Sequence, residues 1–144
     1  MAELKLTRVL PAYYKEILPL TEKYLKRAVD VSRGRYDMPT LIREILAGHQ
    51  QLWVIFDEES GDIVLAFTTY FAKYPLRMNL SVGFIGSDDD SMTKEDYLRL
   101  MPELMEWAKL YGCSGIESVG RRAWGRIFKE LGFEETFTTV EGEV

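Results

Sequence analysis

"LWVIFDEESGDIVLAFTTYF", residues 52–71, is the stretch where the chain changes its period. Two apolar runs rich in β-branched and aromatic residues flank the polar turn sequence DEESGD. That arrangement predicts a hairpin, with strands over 52–56 and 63–71. Before it the apolar residues recur at three- and four-residue spacings, and after it strand and helix patterns alternate. The hairpin is therefore expected at the centre of a mixed sheet carrying helices on both faces, an α/β fold.

Upstream, "ELKLTRV" (3–9) alternates as a first strand. Tyr13, Ile17, Leu20, Tyr24, Ala28 and Val31 then mark an amphipathic helix, which Pro19 is expected to kink or interrupt. "SRGRYD" breaks the pattern. Asp37 can cap a second helix with Pro39 in its first turn, Met38, Leu41, Ile42, Ile45 and Leu46 on its buried face, and Gly48 past its end.

Downstream, "MNLSVGFIG" is a further strand. Thr93 and Asp96 have capping-box spacing and open a helix whose face is Tyr97, Met101, Leu104, Ala108 and Tyr111. Pro102 inside it predicts a kink or two short helices. Gly112 stops that segment, "SGIESVG" is a short strand, and Trp124, Ile127, Phe128 and Leu131 define a last helix ended by Gly132. "FTTV" is expected to add a final strand. The order is β, α, α, β, β, β, α, β, α, β, read as one domain over residues 1–144.

At 47% hydrophobic and 28% charged residues, the composition is that of a globular domain. A net charge of −5 gives no general attraction to nucleic acid or to an anionic membrane, so neither is expected as a partner. Lys23, Lys26, Arg27, Arg33 and Arg35 read as solvated positions. A single cysteine allows no internal disulfide, and one cysteine with one histidine cannot build a structural zinc site. "MAELKLTRVLP" lacks the apolar core of a signal peptide, and no apolar run reaches the length of a membrane span. A cytoplasmic protein is the expectation.

"FIGSDDDSMTKED", residues 84–96, leads from strand to helix, where α/β proteins often hold phosphate on glycines and backbone N–H groups. Here the turn offers Asp88, Asp89 and Asp90 instead. Consecutive aspartates cannot all face one ion, so no metal is expected and a solvated or helix-dipole role is favoured. Cys113 with His49 could pair as nucleophile and base, but a lone Cys in "GCSG" reads as a small core residue. "GRRAWGR" sets Arg121, Arg122 and Arg126 around Trp124. That group could recognise an anion, an aromatic ligand or a protein partner, or the indole could simply pack.

"WAKLYGCSGIESVGRRAWGRIFKELGFEE" (107–135) resembles the second half of the GNAT (GCN5-related N-acetyltransferase) fold, and residues 52–71 look like its second and third strands. Short GNAT-like chains with Gly-Arg-x-x-Trp in the last helix resemble those carried by tailed phages, and Gly120, Arg121 and Trp124 fit that phrase. The resemblance implies three chemical needs. A diphosphate cradle for acetyl-CoA would fall at residues 84–96, where only Gly86 and Lys94 are candidates. A general base is expected on the fourth strand, which has no carboxylate, so Glu117 is the nearest substitute. The general acid, usually a Tyr, falls on Phe128, which has no proton to give, and Tyr111 is the candidate replacement.

These departures imply a non-catalytic module that binds a phage structural protein or a host factor, in the host cytoplasm or carried in the virion, with no cofactor. The alternative is an atypical acyl-CoA-dependent N-acetyltransferase using acetyl-CoA.

Overall fold

The computed structural model describes residues 3–88, 92–118 and 128–144. A five-stranded sheet forms from β1 (Leu4–Arg8), β2 (Gln51–Asp57), β3 (Ile63–Lys73), β4 (Met78–Ser87) and β5 (Gly115–Ser118), in that spatial order. The first four strands are antiparallel neighbours, and β5 joins β4 in parallel after a helical crossover. The expected hairpin is β2–β3, and the sheet is mixed.

Side chains alternate across the strands, so each face has its own core. Leu4, Leu6, Trp53, Ile55, Phe67, Leu80 and Val82 pack on one side against α3 (Lys94–Leu110). Leu52, Val54 and Ala66 pack on the other against α1 (Tyr14–Asp30) and α2 (Met38–Leu46). Each fully buried Leu or Ile among them contributes about 1.5–3 kcal/mol of burial.

Helix α1 follows a short 3-10 turn, Pro11–Tyr13, and differs from the sequence reading in two ways. It runs unbroken through Pro19, which sits on the exposed flank with Lys15, so the carbonyl that loses its partner there faces water. Its buried face is Tyr14, Leu18, Thr21, Tyr24, Leu25 and Val29, with Tyr13, Leu20 and Val31 exposed. The expected stripe and the real one share only Tyr24, because both spacings satisfy the helical period and contact with the sheet selects between them. Pro102 likewise lies on the exposed side of a single continuous α3.

The local end signals hold. The Asp37 side chain accepts from Thr40 N at 2.8 Å, and Thr93 and Asp96 form a reciprocal capping box. Leu41 and Ile45 are the buried residues of α2, whereas Leu46 is exposed. "FTTV" is not a strand. Phe137 and Val140 stand in solvent, and the tail is tied down by Glu141, whose carboxylate meets Arg33 and Arg35 in the turn between α1 and α2. Arg33 is in the left-handed region (φ 59°) and Gly34 follows it there. Of the last helix, Phe128–Glu130 is described, with Phe128 buried against Phe133.

Candidate functional site

Strand β4 carries a bulge. Phe67 pairs with Ile85 and Thr69 with Val82, so Gly83 and Phe84 together oppose Thr68. The Phe84 N–H donates to Thr68 Oγ1 at 3.1 Å. A Cβ at Gly83 would lie 3.1 Å from Thr68 Oγ1 and 3.6 Å from Gln50 Oε1, so a side chain here would crowd Thr68. Gly115–Ser118 pair with Asn79–Val82, and among the described residues no strand covers the outer edge of Gly83–Ser87.

Beside the bulge, on the α1/α2 face, three polar side chains gather. Glu44 of α2 accepts from the Tyr36 hydroxyl at 2.9 Å and from Gln50 Nε2 at 2.6 Å, both at Oε2. Gln50 is 3% exposed, and its Oε1 has no hydrogen-bond partner among the described residues. The Tyr36 ring meets Phe84 edge-on at 4.8 Å. Burial, and then the hydrogen bond to Glu44, push the Tyr36 hydroxyl above its ordinary pKa. Sequence reading missed this group. Its only local signal was a polar Gln50-Gln51 pair opening a buried strand.

Glu117 lies on the same face, further out. Register places it beside Ser81 on β4, and Ser81 beside Tyr70 on β3. Its carboxylate accepts from the Tyr74 hydroxyl at 2.7 and 3.0 Å and from Asn79 Nδ2 at 3.0 Å. Donation to Glu117 raises the Tyr74 pKa. Tyr111 is elsewhere. It caps α3, stacks on Trp107 at 4.3 Å and reaches Phe71 on the opposite face of the sheet. The structure thus does not bring Tyr111 and Glu117 together.

The described residues on either side of the turn from β4 to α3 make contacts within the chain. A Cβ on Gly86 would sit 2.2 Å from the Tyr24 carbonyl oxygen, so this glycine lets α1 pack on the strand. Asp88 accepts from the Tyr24 hydroxyl at 2.8 Å and lies 3.9 Å from Lys23 Nζ. At the start of α3, Asp96 N donates to Thr93 Oγ1 and Thr93 N donates to Asp96, with Glu95 and Asp96 adding negative charge in the first turn. Lys94 pairs with Glu130 at 3.1 Å. Carboxylates and a self-capped helix start do not fit a diphosphate.

Burial raises the Cys113 thiol pKa, the reverse of what a nucleophile needs. Among the described residues no three His, Cys, Asp or Glu side chains gather as metal ligands, and no helix is long and apolar enough to cross a membrane. Asp89, Asp90, Arg121, Arg122, Trp124 and Arg126 lie outside the described residues.

No protein-family model and no curated protein matches the chain. Solved structures do. A probable acetyltransferase superposes with a TM-score of 0.72 at 11% identity, over 97% of each chain. An aminoglycoside acetyltransferase from an uncultured soil metagenomic sample, in complex with sisomicin, gives 0.71 at 11% identity over 98% of this chain and 96% of that one. A transcriptional regulator from Bacillus halodurans gives 0.67 at 15% identity over 99% and 100%. The fold is GNAT-like, and at these identities the likeness speaks for fold alone.

Proposed function

We propose that the protein transfers an acyl group from a pantetheine-type thioester, such as acetyl-CoA, to an amine. The observation that carries this reading is the bulged segment 83–87 of β4, whose outer edge no strand of the described residues pairs with and which runs beside the polar face of Glu44, Gln50 and Glu117. An extended arm bearing amide groups can add to such an edge through main-chain hydrogen bonds. The likeness to acetyltransferases, one of them acting on aminoglycosides, supports the same reading. Glu117, on this face, is the residue proposed to take the amine proton.

The nucleotide end of the donor finds no glycine cradle, so the arm must supply most of the grip. Acetyl-CoA and the truncated donor acetyl-pantetheine should therefore serve about equally, with kcat/KM within about threefold. Thiol release measured over a panel of amines tests this. A large preference for acetyl-CoA would mean that the diphosphate is held after all.

The self-capped start of α3 and the proton-free Phe128 favour a second reading, in which the fold binds a protein partner, a phage structural protein or a host factor, without catalysis. Thiol release from neither donor with any amine would sink the enzyme and leave this module.

A further inference from the structure

Glu44 is a half-buried carboxylate that no lysine or arginine of the described residues pairs with. The nearest arginines in sequence before Tyr36, Arg33 and Arg35, are committed to Glu141. Both donors to Glu44, Tyr36 and Gln50, are neutral and both reach Oε2, which leaves Oε1 with none among the described residues. A partly desolvated carboxylate without a counter-charge is costly unless something cationic completes it. The second observation is independent. Gln50, buried to 97% by its 3% exposure, turns an unpartnered oxygen toward the bulge at Gly83.

We propose that Glu44, Gln50 and Tyr36 form a seat for the ammonium group of a primary alkyl amine beside the β4 bulge. A primary ammonium carries three donors on one compact charge, which matches two acceptor oxygens and a cation deficit together. The Tyr36 and Phe84 rings, 4.8 Å apart, supply the apolar wall for the alkyl chain and ring faces that attract the charge. A side chain at Gly83 would crowd Thr68 Oγ1 and come within 3.6 Å of Gln50 Oε1, so glycine is the residue this corner admits. The seat rests on the acyl-transfer reading for its role, since it would hold the acceptor, but its existence is a matter of binding alone.

The test is an isotope-edited NMR titration with butylamine at constant ionic strength and without any acyl donor. Butyltrimethylammonium, which keeps the charge but has no N–H, and butanol serve as comparators. Saturable shifts centred on Tyr36, Glu44, Gln50, Gly83 and Phe84 are expected. Butyltrimethylammonium should bind at least about tenfold more weakly, and Glu44→Gln should weaken butylamine by about tenfold. Glu106→Gln, on α3, should leave the affinity unchanged. Tyr36→Phe, which keeps the ring, should retain binding with a smaller loss, so the seat stays testable if Glu44→Gln folds poorly. No saturable shift, or equal binding of the two cations, overturns the seat. Binding without acyl transfer sinks the catalytic reading and keeps the seat. Acyl transfer that is indifferent to Glu44→Gln does the reverse.

Discussion

Two acidic regions of this molecule differ in who answers their charge. In the turn from β4 to α3, Asp88 is met by Tyr24 and Lys23, and Asp96 by the Thr93 N–H and Arg99. Around Glu44, only neutral donors are present among the described residues. The described carboxylates of the first region are answered by the chain itself. The second is left for something to complete. A carboxylate count would rank the turn first, whereas a tally of missing counter-charges reverses the order.

The largest effect that can break this contrast is at Gly86. Gly86→Ala puts a methyl group against the Tyr24 backbone, and overpacking of that kind should cost about 3 kcal/mol in a urea melt. An unchanged melt accompanied by weaker use of acetyl-CoA would make Gly86 a cradle glycine and reopen the turn as a donor site. Next comes Thr93→Ala, which removes one arm of the capping box and should cost about 1 kcal/mol. Donor preference should not move with it.

Glu44→Gln should be smaller still for folding, within about 0.5 kcal/mol either way, because the pair of neutral donors can still bond to an amide oxygen. A loss of several kcal/mol would show that the carboxylate is structural. The smallest effect belongs to Glu141→Gln. The Arg33 hydrogen bond, followed by the charges of Arg35 and Arg33, lowers the Glu141 pKa, so its contribution exists at neutral pH and fades as pH falls through the folded-state value. A slight drop in Tm at neutral pH, absent in acid, is the expected record of a solvent-exposed tether.

Features of this molecule encoded within a few neighbouring residues were legible in the sequence. The hairpin at 52–71, the Asp37 cap and the Thr93–Asp96 box each depend on contacts inside a short window. The face of α1 was not legible, since Leu20 and Leu18 fit the same period and the sheet chose Leu18. "FTTV" carries β-branched and aromatic residues, yet it pairs with no strand of the described residues, and four residues do not hold themselves extended alone. Nor was the Glu44 group visible. Tyr36, Glu44 and Gln50 belong to the loop after α1, to α2 and to the bend before β2, and only tertiary packing brings their polar atoms together.

Tyr24 ties the stability of this fold to alkaline pH. Its side chain is fully enclosed, and its hydroxyl has two acceptors in reach, Ile63 O at 2.6 Å and Asp88 Oδ2 at 2.8 Å. Removing the proton would leave a phenolate facing a carboxylate, away from water. Burial first, and the Asp88 hydrogen bond second, raise its pKa well beyond that of a solvated tyrosine. The neutral hydroxyl therefore favours the native state, and that preference is full below the unfolded-state value near 10 and erodes as pH climbs past it. In strong base the phenolate absorbance of Tyr24 should appear only together with loss of the sheet. Tyr24→Phe gives up the hydroxyl's bonds but has no proton to lose, so its stability should fall less steeply across the same alkaline range.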